Sequence, residues 1–146
     1  MIALVQRVSS ANVSVAGSRI GEIHQGMLVL LGIEANDTSD TVRKMSAKLL
    51  KFRMFNDEQG KMNLNIQQSC GDILVVSQFT LVADTQKGNR PGFSKGASPA
   101  LGEELYNTFV AELNNSCTNK VQTGQFGADM QVSLVNDGPV TFSLQI

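Results

Sequence analysis

Residues Ile73-Leu74-Val75-Val76 form an unbroken block of β-branched and leucine side chains, the composition of a strand buried on both faces. A second block, Met27-Leu28-Val29-Leu30-Leu31, is framed by Gly26 and Gly32 and reads as a central strand. The first block runs without a turn residue into Ser77-Gln78-Phe79-Thr80-Leu81. Hydroxyls and an amide at the end of a buried strand need partners, because an unpaired buried polar group costs roughly 1–3 kcal/mol. Two readings follow. Either Ser77 and Thr80 bond to neighbouring backbone as the strand stops, or the strand's end forms one wall of a pocket.

Around these blocks the pattern is mixed. Ile2, Leu4, Gln6 and Val8 alternate with Ala3, Val5 and Arg7, and Asn12-Val13-Ser14-Val15 keeps that period up to a turn at Ala16-Gly17-Ser18. Ile20 to Ile23 is a short return strand. Between Thr38 and Met54 the period changes: Val42, Met45, Leu49 and Phe52 recur at three- and four-residue steps, predicting an amphipathic helix with Thr38 or Ser39 as N-cap. Its other face carries Arg43, Lys44, Lys48, Lys51 and Arg53, which reads either as a solvated face or as a phosphate-binding surface. Asn56 to Lys61 is a turn, and Met62 to Ile66 a short strand.

Asp84 to Gly96 holds Lys87, Arg90, Lys95 and three glycines, a surface loop of a length that is often functional. Ser98-Pro99 supplies an N-cap and a proline at the first helical position. Leu101, Leu105, Phe109 and Leu113 then predict a second helix ending near Asn115. The last third is β. Val121 to Thr123 is short, and two alternating runs, Ala128 to Leu134 and Val140 to Ile146, flank Asn136-Asp137-Gly138-Pro139, predicting a hairpin with a Gly-Pro apex. The expectation is one domain over residues 1–146, α+β (mixed α/β), with largely antiparallel sheets in a barrel-like core flanked by two amphipathic helices.

Several function classes drop out. A net charge of −1 gives no long-range field for a polyanion, so any nucleic-acid contact needs a local basic patch. Cys70 and Cys117 are isolated thiols, which argues against a zinc site or a disulfide scaffold. His24 is the only histidine and reads as a solvated turn residue. There is no G-x-S-x-G elbow at Ser77, and the glycines and lysines from Gly88 to Gly96 have the wrong spacing for a P-loop. Met1 leads straight into an alternating strand, and no apolar run approaches the roughly 20 residues needed to cross a bilayer. The expectation is therefore a cytoplasmic protein with no membrane partner, no metal and no cofactor. Any catalysis must draw on backbone N–H donors, hydroxyls, or a group brought by the substrate.

Ser77-Gln78-Phe79-Thr80-Leu81 and Asn136-Asp137-Gly138-Pro139-Val140-Thr141 resemble the two signature motifs of the D-aminoacyl-tRNA deacylases. The resemblance extends over essentially the whole chain, including Met1 to Ser9, Lys61 to Asn65 and Phe93 to Pro99; only Asn114 to Lys120 looks individual. It implies a homodimer that hydrolyses the ester of D-amino acids, and of glycine, on tRNA. Ser77, Gln78, Phe79 and Thr80 would form the catalytic floor, and Gly138-Pro139 with its peptide cis would enter from the other subunit to exclude L residues. It further implies an oxyanion hole of main-chain N–H groups around Phe79 and Thr80, with the 2′-hydroxyl of the terminal ribose activating water. Lys44, Lys48, Lys51, Lys87, Arg90 and Lys95 are candidates for tRNA phosphate contact. The alternatives are a non-catalytic RNA- or DNA-binding module and a hydroxyl-dependent esterase of small esters.

Overall fold

A computed structural model describes residues 1–86 and 88–146. The elements in order are β1 (Ile2–Val15), β2 (Ser18–Ile23), β3 (Gly26–Gly32), α1 (Ser39–Lys51), β4 (Phe55–Asn56), β5 (Met62–Leu64), β6 (Asp72–Ser77), a 3-10 turn (Phe79–Val82), α2 (Pro99–Ser116), β7 (Val121–Thr123) and β8 (Met130–Gln145).

The long strand β1 organises the sheet. Along one edge it pairs antiparallel with β8, from Ile2 opposite Gln145 to Val15 opposite Met130. Along the other it pairs first with β3, over Ile2 to Val8, and then with β2, over Ala11 to Val15. β6 runs parallel to β3, and β7 parallel to β6. β2 then curls back over the far end of the sheet: a Cβ at Gly21 would stand 2.9 Å from the Thr123 carbonyl oxygen, so this approach admits only glycine. Lys120 Nζ also donates to the Glu22 carbonyl at 3.1 Å. The result is a nearly closed barrel with two helices outside it, the α+β architecture expected from the sequence.

The apolar runs explain this shape. Met27, Val29 and Leu31 of β3, with Ile73 and Val75 of β6, face Val42, Met45 and Leu49 of α1 and Leu105, Phe109 and Leu113 of α2. The opposite side chains of the same strands, Leu28, Leu74 and Val76, pack inside the barrel on Val8, Ala11, Val13 and Ile23. Both helices begin as their cap residues direct. Thr38 and Thr41 form a capping box at α1, and Ser98 accepts from the Leu101 N–H ahead of α2. Among the described residues no helix is long and apolar enough to cross a membrane.

Two sequence expectations are corrected. The strand through Ile73 does not continue to Leu81; β6 stops at Ser77 and the chain turns through Phe79–Val82. Nor is Asn136 to Pro139 a hairpin apex. β8 is one strand, and both of its halves pair with β1. Thr141 lies opposite Gln6 and Asn136 opposite Val8, so Asp137, Gly138, Pro139 and Val140 bulge out against the single residue Arg7. Alternation on both sides of a polar segment looks the same in a hairpin and in a bulged strand, because only the partner strand distinguishes them.

Tyr106, the only tyrosine, is buried under the sheet, and its hydroxyl donates to the Val75 carbonyl at 2.9 Å. Burial pushes its pKa up from 10.0 to about 12, with the Gly124 main chain opposing the shift. Since the folded value lies above the unfolded one, this group's stabilisation is complete below pH 10 and is lost as the pH rises towards 12. A spectrophotometric titration should show one phenolate transition near 12 in the native protein and near 10 in denaturant. A native transition near 10 would contradict this placement of the ring.

Candidate active site

A cleft of about 470 Å³ opens where the parallel strands β3 and β6 end, the position at which open α/β sheets commonly bind ligands. Ser77, Gln78 and Phe79 line one side; the start of α2, from Ser98 to Gly102, and the run from Phe126 to Met130 line others. The floor is aliphatic, built from Leu31, Ile33, Val76 and Val132.

The change from strand to 3-10 turn decides what the main chain offers. Gln78 N–H still bonds to the Leu31 carbonyl at 2.8 Å, as a last rung of the sheet. Leu81 N–H bonds back to Gln78 and Ala83 N–H to Thr80. Between them, the N–H groups of Phe79 and Thr80 donate to no acceptor among the described residues, and no side chain caps the turn. Orphan donors at the start of a helical turn suit a negatively charged oxygen. The Thr80 hydroxyl is already engaged, accepting from Gln78 Nε2 at 2.6 Å. The Ser77 hydroxyl has no partner among the described residues. Of the two readings of this stretch, the pocket wall fits Ser77, whereas the Thr80 hydroxyl bonds to the Gln78 side chain and not to neighbouring backbone.

His24 lies exposed in the bend between β2 and β3, and among the described residues the one carboxylate lining the cleft is Asp129. Neither Gly138 nor Pro139 lines the cleft of its own chain. They stand in the β8 bulge at the level of Gln6 to Val8, away from the end of β3 where the cleft opens.

That bulge is held firmly. The Asn136 side chain accepts from the Val140 N–H at 3.1 Å and donates to the Val140 carbonyl at 3.1 Å and the Arg7 carbonyl at 3.3 Å. Arg7, buried beneath it, donates from Nε to the Asp137 carbonyl at 3.1 Å and from Nη1 to the Met54 carbonyl at 3.0 Å and to Asn56 Oδ1 at 3.2 Å. Nε also lies 3.2 Å from the Asp137 carboxylate. The Gly138–Pro139 peptide is cis, and Gly138 has φ +138. A Cβ there would meet Val140 Cγ2 at 2.6 Å and Val140 N at 2.9 Å. Sequence reading passes over Arg7 as an anchor; the available signal is a guanidinium in a strand whose neighbours are apolar.

The basic candidates are dispersed. Lys44 and Lys95 border a second depression beside the cleft, but each has a carboxylate partner, Asp40 at 2.8 Å and Asp84 at 3.2 Å. Hydrogen bonding and charge from Lys44, with Arg43 beside it, hold Asp40 below the usual carboxylate range. The Gln86 main chain and then Lys95 do the same for Asp84. Lys48 donates to the Gln145 carbonyl at 3.1 Å. Lys51 and Arg90 are exposed and have no partner among the described residues. Lys87 lies outside the described residues.

The D-Tyr-tRNA(Tyr) deacylase family model matches residues 4–145. A D-aminoacyl-tRNA deacylase of Alteromonas mediterranea is 64% identical over 146 residues, and one of Haemophilus influenzae is 60% identical over 148; both alignments cover 100% of each chain. Among solved structures, a c-Myc DNA unwinding element binding protein superposes with a TM-score of 0.96 at 41% identity, covering 100% of this chain and 99% of that one. A probable eukaryotic D-amino acid tRNA deacylase shares the fold, with a TM-score of 0.82 at 16% identity and 98% coverage of both.

The clasp on the bulge gives a stability test. Asn136→Ala removes one acceptor and two donations at once and should lower unfolding free energy by about 1–3 kcal/mol. Asn136→Asp keeps the acceptor for Val140 N–H but sets a second acceptor oxygen against the Arg7 and Val140 carbonyls, and should be no more stable than alanine in denaturant melts. Equal midpoints for all three would show that Asn136 does not hold the bulge.

Proposed function

The chain belongs to the D-Tyr-tRNA(Tyr) deacylase family, and from that premise we propose that its cleft cleaves the ester between a D-amino acid or glycine and the 3′ ribose of tRNA. The activity is that of a hydrolase acting on ester bonds. The observation that carries the reading is the pair of undonated N–H groups at Phe79 and Thr80, at the end of the strand that bears Ser77.

Water adds to the ester carbonyl, and the oxyanion is received by the two N–H groups. Collapse breaks the bond to the 3′ oxygen, which leaves with a proton, giving free amino acid and tRNA. One such donor is worth roughly 2.7–4 kcal/mol in kcat. The 2′-hydroxyl of the terminal ribose takes the proton from water and passes its own to the departing 3′ oxygen. A nucleophilic Thr80 would need a base, and its hydroxyl is occupied by Gln78 instead.

Chiral selection rests on main chain. In a homodimer, Gly138 and Pro139 of one subunit close over the cleft of the other, and their carbonyls take the substrate's α-ammonium. The Cα hydrogen of a D residue then faces this backbone, whereas an L side chain would collide with it. Glycine has nothing to collide and is a substrate. The separation of bulge and cleft within one chain supports this reading, as does the clasp by Asn136 and Arg7. A binding-only role has one observation in its favour: the 41% identical structure is that of a DNA unwinding element binding protein. Release of free D-tyrosine from D-tyrosyl-tRNA decides between the two.

Single-turnover deacylation tests the mechanism. Thr80→Ala and Asp129→Asn should retain much of the wild-type rate, while a 2′-deoxy terminal ribose should lose most of it. A folded, dimeric Thr80→Ala that is inactive would assign the nucleophile to that hydroxyl. A rate lost in Asp129→Asn but kept on the deoxy substrate would assign the base to Asp129.

Binding to tRNA should weaken most for Lys51→Ala and Arg90→Ala, alike for D- and L-charged forms, each reducing the slope of log K against log salt by about 0.7–0.9. Lys44→Ala and Lys95→Ala should lose less, since those ammonium groups must first leave Asp40 and Asp84. An unchanged slope in every variant would mean that the basic helix face is merely solvated.

A further inference from the structure

Phe79 and Phe93 are 66% and 46% exposed, unusual for phenylalanine, yet their rings lie against each other with centroids 5.2 Å apart and planes inclined by 49°. Both border the cleft. We propose that this aromatic pair at the rim stacks the base of the nucleotide preceding the terminal adenosine of tRNA. The inference rests on the deacylase reading and adds a recognition element that the chemistry itself does not require.

Three observations support it. The cleft has the volume of a single small-molecule site, enough for the aminoacylated nucleoside, so the chain leading away from it must cross the rim. A single-stranded 3′ end presents an unpaired base there, and aromatic rings are the usual platform for such bases because every base has a π-face. Phe93 also lies in sequence between Arg90 and Lys95, cations of the kind that hold the phosphates beside a stacked base, with Lys95 having to leave Asp84 at 3.2 Å to do so. Arg90 is exposed with no partner among the described residues, so no existing ion pair must break for it to take up that role. The other occupant with suitable chemistry, an apolar patch on a second copy of the chain, would not call for cations beside the rings.

The test uses the full-length dimer and three D-tyrosyl esters: of adenosine, of the 3′-terminal trinucleotide, and of that trinucleotide with an abasic residue before the terminal adenosine. For wild type, KM should fall from the nucleoside to the intact trinucleotide by roughly 5- to 150-fold, the range of one base–aromatic stack, with most of the gain absent from the abasic ester. Phe93→Leu should abolish the difference between intact and abasic esters at similar kcat, and Phe93→Tyr should restore it. A Phe93→Leu protein that still discriminates the two trinucleotides overturns the proposal. So does one that weakens all three esters equally, or one whose sedimentation shows that the ring was holding subunits together. If wild type cleaves none of the esters, nor charged tRNA, the deacylase reading itself falls and takes this inference with it. Cleavage without coupling between Phe93 and the missing base sinks the inference alone.

Discussion

The fold depends on strands that are apolar on both faces. Leu28, Leu74 and Val76 point one way from β3 and β6, and Met27, Val29, Ile73 and Val75 the other, so neither face of this part of the sheet tolerates water. Two different covers satisfy the two faces. The helices close one side, and the long strand β1, bent so that it serves β3, β2 and β8 in turn, rolls the sheet over to close the other. Where the doubly covered strands run out, at Leu31 and Ser77, the start of α2 and the Met130 end of β8 only border the gap, and the cleft lies there. The site is thus a by-product of how the core is shielded.

Most of this was legible in the residues. The apolar blocks, the two helices and their Thr38 and Ser98 caps, and the glycine frame of β3 each follow from local chemistry, and all stand where that chemistry puts them. What was not legible depends on partners. The polar end of β6 reads as continuing strand, because Phe79-Thr80-Leu81 has strand composition and contains no glycine or proline. Only the loss of a pairing partner beyond Leu31 turns it into a 3-10 turn. In the same way, two alternating segments around Asn136 to Pro139 match a hairpin, and their common pairing with β1 makes them a bulge instead.

The cleft itself was legible only in part. Ser77, Gln78 and Phe79 do line it, but Phe93, Phe126 and Asp129 come from segments distant in sequence and join it through the fold. The basic residues illustrate the opposite limit. Lys44, Lys48 and Lys51 at helical spacing suggest a uniform cationic stripe, yet acidic and carbonyl neighbours that no spacing rule reveals already occupy two of the three. The bulge in β8 differs from a loop in a way that matters for how its position is maintained. Both flanks are hydrogen-bonded into the same neighbouring strand, and its interior is tied down by Asn136 and Arg7.

The free donors at Phe79 and Thr80 belong to the peptide unit and not to any side chain. Systematic truncation of side chains would therefore pass over these two atoms, since alanine carries the same N–H as the residue it replaces. Only a change that alters the backbone, such as an ester linkage or an imino acid at one of these positions, would test the role proposed for them.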